Sequence, residues 1–138
     1  MKTLTIHVDG AIGDPYHTGI AAVARTADGY FLGWLSRRLP RMTNNEAEYN
    51  AALLGLELAH LLGSDCIEIV SDSEVLVYQM QGLSRVNSPR LKQLHQQTCQ
   101  TAAHFRQVSF RHVSREQNHL ADALAADALA GRLVKMKR

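Results

Sequence analysis

Cysteine is scarce in this chain of 138 residues, with Cys66 and Cys99 the two present. Neither has companions at metal-ligand spacing, which excludes a zinc ribbon. Two buried or partly buried thiols in a reducing compartment are expected. Proline occurs three times and tryptophan once. No Pro/Ser linker, low-complexity block or internal repeat divides the chain, so it reads as one unit. It also lacks an apolar run of about eighteen residues, and no transmembrane span is expected. The amino-terminal residues 1–9 carry no apolar stretch of signal length, so export by that route is not expected. Charge of one sign is lacking too: the net charge is +2 and the isoelectric point about 8.7, too mild to prove a nucleic-acid partner. Hydrophobic residues at 46% and charged residues at 20% match a folded globular domain and exclude global disorder.

The cations are unevenly placed. Apart from Lys2 and Arg25 they form four clusters: Arg37, Arg38, Arg41; Arg85, Arg90, Lys92; Arg106, Arg111, Arg115; and Arg132, Lys135, Lys137, Arg138. Such clusters matter if the substrate is anionic. Hydrophobic periodicity sets out the elements. Leu4, Ile6 and Val8 alternate with polar residues as a strand does. Gly10, Gly13, Asp14, Pro15 and Gly19 mark a loop or hairpin. Residues 20–25 and 30–37 read as two more strands around an Asp28-Gly29 turn. Thr43-Asn44-Asn45-Glu46 has the form of a capping box opening a long helix that ends at Gly63. Residues 66–70 and 108–113 read as strands, and 73–81, 89–104 and 118–130 as helices. Three strands in a meander followed by alternating helices and strands predict an α/β fold: a mixed five-stranded sheet, antiparallel then parallel, flanked by helices.

Four carboxylates stand out from that frame. Asp9 lies where the first strand runs out, and Asp72 where the fourth does. Open α/β sheets bind ligands beyond the carboxyl ends of their strands. Glu48 shares a helical stripe with Ala52, Gly55 and Ala59, so it is the one charge on a face small enough to pack closely. Glu46, roughly 200° away, is explained as the cap, and Glu57 as solvated. Asp122 sits in the first turn of the last helix, where Asn118 is a plausible N-cap. Each has an ordinary alternative as a turn or helix-capping acid. Together they make a donor set suited to hard divalent cations, Mg²⁺ or Mn²⁺, rather than zinc.

The segments Val8-Asp9-Gly10-Ala11, Thr43-Asn44-Asn45-Glu46-Ala47-Glu48-Tyr49, Val70-Ser71-Asp72-Ser73-Glu74 and Arg115-Glu116-Gln117-Asn118-His119-Leu120-Ala121-Asp122 resemble type 1 ribonuclease H in order and spacing. The likeness runs from about residue 3 to about residue 130 and is closest to a short-loop, archaeal-like branch. It implies a ribonuclease H-like fold in a catalytic domain of residues 1–131, with a basic tail over 132–138. The implied catalytic and metal-binding residues are Asp9, Glu48, Asp72 and Asp122. Two ions would lie roughly 3.5–4 Å apart. Asp9 would bridge them, with Glu48 and Asp72 on one and Asp122 on the other. The implied reaction is hydrolysis of the RNA strand of an RNA/DNA hybrid, leaving 5′-phosphate and 3′-hydroxyl ends. The implied substrate-binding residues are Gly10, Ala11, Thr43, Asn44, Asn45, Arg115 and Asn118. A cytoplasmic monomer without an obligate protein partner or a membrane is expected.

The chain departs from that family in three places. The loop before the last helix lacks the histidine of many bacterial members. Arg115 is the better stand-in, His119 a weaker one, and His112 falls within a strand. Glu74 stands where many relatives have glutamine, and the residues linking the two middle helices are too few for a basic protrusion. Two other readings are weighed: a related nuclease acting on a DNA junction or duplex, and a catalytically silent module binding hybrid or double-stranded RNA. The Thr43-Asn44-Asn45 stretch disfavours the first, and the presence of all four carboxylates disfavours the second.

Overall fold

A computed structural model describes residues 3–132. The five strands are β1 (Leu4–Ala11), β2 (His17–Thr26), β3 (Phe31–Pro40), β4 (Cys66–Ser71) and β5 (Gln107–His112). The helices are α1 (Asn44–Leu61), α2 (Glu74–Met80), α3 (Pro89–Ala102) and α4 (His119–Leu129), the last preceded by a 3₁₀ turn over Arg115–Asn118. The sheet order is β3-β2-β1-β4-β5. Pairing is antiparallel from β3 to β1 and parallel from β1 through β4 to β5. This is the mixed sheet that the alternation of elements predicts.

Strand alternation distributes the core over both faces. On one face Ile6, Val8, Ile20 and Ala22 meet Ala51, Leu54 and Leu58 of α1. On the other, Ala21 and Val23 meet Ala121, Leu124 and Ala125 of α4. Two glycines set how closely the helices approach. A Cβ on Gly55 would sit 2.8 Å from Val8 Cγ1, so the stripe of small residues does seat α1 tightly on β1. A Cβ on Gly19 would lie 2.0 Å from the Ala125 carbonyl oxygen and 2.5 Å from the Leu129 nitrogen. That packing corrects the expectation that Gly19 belongs to a loop: β2 begins at His17, and Gly19 pairs with Ala11 inside the sheet.

Local signals at the helix starts take the form that the sequence predicts. Thr43 Oγ1 accepts from the Glu46 amide at 3.2 Å, and the Glu46 carboxylate accepts from the Thr43 amide at 3.1 Å. Glu46 also pairs with Arg90, tying the start of α3 to the start of α1. Glu57, expected to be free in solvent, is exposed but paired with Arg37. The cysteines differ from expectation in one respect: Cys66 is buried, but Cys99 is exposed on α3. Of the expected basic tail only Arg132 is described, bound to Asp127; residues 133–138 lie outside the described residues.

Candidate active site

The parallel pairing of β1 with β4 stops at His7 and Val70, while β1 continues beside β2 through Ala11. Asp9 therefore lies inside its strand rather than at its end, yet two residues past the last parallel partner. The divergence leaves room between β1 and β4 for side chains. Asp72 follows the end of β4, where Ser71 Oγ accepts from the Ser73 amide at 3.0 Å and Ser73 caps α2. Glu48 projects from the first turn and a half of α1. Carboxylate oxygens of Asp9, Glu48 and Asp72 gather within 4.8 Å of one another. Asp122, on α4, lines the same cleft and is close enough to raise both Asp9 and Asp72. Four elements thus bring the four predicted carboxylates together.

The cluster is electrostatically costly as it stands. Asp9 is 5% exposed and Glu48 is 4% exposed. Burial first, then the charges of Glu48 and Asp72, push the Asp9 carboxyl up to about 9. Burial likewise raises Glu48, to about 7, against the pull of its hydrogen bond from the Gly10 amide. Asp72 is raised by burial and by Asp122, partly offset by its own amide, Arg115 and His112. Buried acids held together against their own repulsion are what a divalent cation relieves. The donor set is all carboxylate oxygen, and among the described residues no cationic side chain lies at hydrogen-bond distance from Asp9 or Glu48. The residues present therefore fit Mg²⁺ or Mn²⁺.

Backbone and amide contacts hold this geometry. The Gly10 N–H donates to Glu48 Oε1 at 2.7 Å and to Asp9 Oδ1 at 3.0 Å. Gly10 is packed so that a Cβ would meet Ala47 Cβ at 2.8 Å and Glu48 Oε1 at 2.9 Å. Its amide thus orients two of the acids instead of facing a ligand. The Asn118 Nδ2 donates to the Val8 carbonyl at 2.9 Å, fastening the start of α4 to β1 one residue before Asp9.

Around the acids lies an open cleft of about 620 Å³, lined by Gly10, Ala11, Asn44, Asn45, Glu74 and Arg115 among others. Five of the seven residues expected at the substrate are therefore at the cleft. Thr43 is not; it lines a neighbouring concavity with Arg41 and His17, its hydroxyl taken by the helix cap. Asn118 is not either: it is buried, and its amide is spent on Val8. Arg115 reaches to 4.0 Å from Asp122 while remaining largely exposed. His112, expected to be misplaced inside its strand, is the last residue of β5, in register with Ser71 and close enough for its charge to lower Asp72. Tyr78 rests against its ring, with centroids 6.2 Å apart.

Comparison with known proteins follows this geometry. A family model described as reverse transcriptase-like matches residues 7–128. The crystal structure of RNase H1 from the halophilic archaeon Halobacterium salinarum superposes with a TM-score of 0.89 at 32% identity, covering 94% of this chain and 98% of that one. The chain belongs to the type 1 ribonuclease H family. A second ribonuclease H1 structure, LC11-RNase H1 in complex with an RNA/DNA hybrid, gives a TM-score of 0.86 at 32% identity, covering 93% of this chain and 97% of that one. The bifunctional protein Rv2228c of Mycobacterium tuberculosis is 36% identical over 130 residues, which are 94% of this chain and 36% of that protein. This ribonuclease H family chain thus spans about a third of the length of the curated mycobacterial relatives it matches. Among the described residues, no helix is long and apolar enough to cross a membrane.

Proposed function

We propose that the chain is an endoribonuclease that hydrolyses the RNA strand of RNA/DNA hybrids, using two Mg²⁺ or Mn²⁺ ions and leaving 5′-phosphate and 3′-hydroxyl ends. The observation that carries this reading is the gathering of Asp9, Glu48 and Asp72 within 4.8 Å, with Asp122 lining the same cleft, in a member of this family. Asp9, Glu48, Asp72 and Asp122 are the proposed metal ligands and catalytic residues. Bound divalent ions supply charge neutralisation at the phosphate and lower the cost of forming a hydroxide nucleophile. The chain's own residues do the rest. Gly10 and Asn118 fix where Asp9, Glu48 and Asp122 point. Asn44 and Asn45, at the exposed start of α1, present amide groups that can both donate to and accept from 2′-hydroxyls and base edges. Arg115, exposed beside Asp122, meets the phosphate backbone. Water adds to phosphorus as the P–O3′ bond breaks, and the departing O3′ takes up a proton.

In the same reading, residues 1–131 form the catalytic domain, residues 132–138 are a basic tail, and the protein acts in the cytoplasm as a monomer without an obligate protein partner. The test is cleavage of a short hybrid, labelled in its RNA strand, with Mg²⁺ and with Mn²⁺. The same sequence is run as RNA duplex, DNA duplex and single-stranded RNA. Metal-dependent cutting of the hybrid's RNA by wild type, absent in Asp9→Asn, is the expected result. Cutting confined to a DNA duplex or junction would overturn the substrate. Metal-independent binding of hybrid without cleavage would overturn the enzyme.

A further inference from the structure

A second cavity, of about 290 Å³, opens between the sheet and the start of α4. His7 of β1 and Arg25 of β2 form one part of its wall, Asn118 and His119 another, and Leu120 and Ala123 an apolar third. Asp122 lines the cleft of the acids, whereas Ala121 and Ala123 line this cavity, so α4 separates the two. Its volume exceeds that of a single small ion and leaves room for an organic group against the apolar part.

Among the described residues three buried side-chain polar atoms have no hydrogen-bond partner, and two of them, His7 Nδ1 and Asn118 Oδ1, belong to residues of this wall. Asn118 is 1% exposed and its Nδ2 is committed to the Val8 carbonyl, so its Oδ1 is an acceptor that bulk water does not serve. Such an acceptor carries a standing cost that a bound N–H or O–H relieves. The cation of the cavity is unmatched too. Arg25 is half-buried and, among the described residues, forms no ion pair. Arg111, whose charge also reaches His7, is paired with Glu68. The rim acid Glu116 is exposed, and its charge is stabilised by its own amide, by Ser114 and by Arg115. A lone guanidinium takes an oxyanion. The unserved acceptor beside it calls for an oxyanion that also carries a proton, as hydrogen phosphate and singly charged phosphomonoesters do and sulfate does not. We infer that this cavity is a second anion site, for a protonated phosphate, free or in a small phosphomonoester, with Arg25 pairing its oxygens and Asn118 Oδ1 accepting from its P–O–H group.

The experiment is amide NMR of the full chain, with and without Mg²⁺, at about pH 5.5, below the second phosphate pKa of about 6. Inorganic phosphate, ribose 5-phosphate and sulfate are titrated in separate arms at one ionic strength. Phosphate should give saturable shifts at His7, Arg25, Asn118 and Ala123 that are the same with and without Mg²⁺, whereas an anion at the acids needs the metal. Sulfate should bind about tenfold more weakly, for want of the donor, and Arg25→Gln should weaken phosphate by about tenfold. Ala123→Leu, which fills the cavity from an exposed position on α4, should abolish these shifts. Tighter binding of ribose 5-phosphate identifies an esterified ligand, and tighter binding of inorganic phosphate a free one; either supports the site. Shifts confined to the cleft of the acids or to the concavity of Arg41 and Thr43 would overturn it. So would an affinity unchanged in both variants, or sulfate bound as tightly as phosphate. The readout is binding alone, so the outcome does not depend on hybrid cleavage.

Discussion

Replacing Asp9 with asparagine should make the metal-free protein more stable while abolishing cleavage. The burial of Asp9 and the charges of Glu48 and Asp72 hold its carboxyl at about 9 in the folded chain, against 3.8 ordinarily. Between those values the folded chain carries a proton that the unfolded chain has released. Folding then takes up a proton, and stability falls as pH rises toward 9. At about 1.4 kcal/mol per pH unit, the full cost at pH 8 is about 6 kcal/mol. Rearrangement of the side chains and water in the open cleft screen part of it, which leaves about 2–3 kcal/mol recoverable by a neutral amide of the same shape. For a domain of this size that is a rise in Tm of about 6–10 °C. The assay is thermal and urea unfolding of both proteins in EDTA from pH 5.5 to 8.5. The gap between variant and wild type should widen with pH, and saturating Mg²⁺ should narrow it by stabilising wild type. A variant no more stable than wild type at pH 8 in EDTA, or a gap indifferent to pH, would refute the electrostatic account of the cluster.

Other substitutions probe the scaffold. Gly19→Ala should cost about 3 kcal/mol in urea unfolding, because the new methyl meets backbone of α4 on both sides. Gly55→Ala meets only side-chain methyls of β1 and β4 and gains helix propensity, so its cost should be smaller by at least about 1 kcal/mol. Asn118→Ala leaves the Val8 carbonyl without its side-chain donor; a loss of about 1–3 kcal/mol and a fall in cleavage of about tenfold are expected, since Asp122 is no longer held in place. Thr43→Ala removes the α1 cap and should cost about 1 kcal/mol, with cleavage at saturating metal changed much less than by Asn118→Ala.

The parts of this structure legible in the sequence are those governed by local rules. The capping box at Thr43 and Glu46, the turn at Asp28-Gly29 and the two hydrophobic periods each depend on neighbours a few residues apart. The four carboxylates were legible only as a set: each alone passes for an ordinary turn or helix-start acid, and the family resemblance joined them. What was hidden depends on contacts distant in sequence. Gly19 looks like a loop residue until α4 is laid across it. Asn118 looks like an N-cap or a substrate contact, but its amide reaches Val8, 110 residues earlier in the chain. The Gly10 amide looks available for a ligand, yet Glu48 takes it. His112 looks internal to a strand, although the strand ends there and its charge reaches Asp72.

Each proposed ligand comes from a different element: β1, α1, the segment after β4, and α4. No two of the four are closer than 24 residues in the chain. A fragment that keeps a well-formed hairpin or helix still holds at most a partial set, and one carboxylate is no better a ligand than any surface aspartate. Under the proposed function, cleavage would therefore report on whether β1, β4, α1 and α4 have come together. If that function holds, libraries of variants could be screened for folding by hybrid cleavage, provided the acids and the residues proposed to meet or orient the substrate are left untouched.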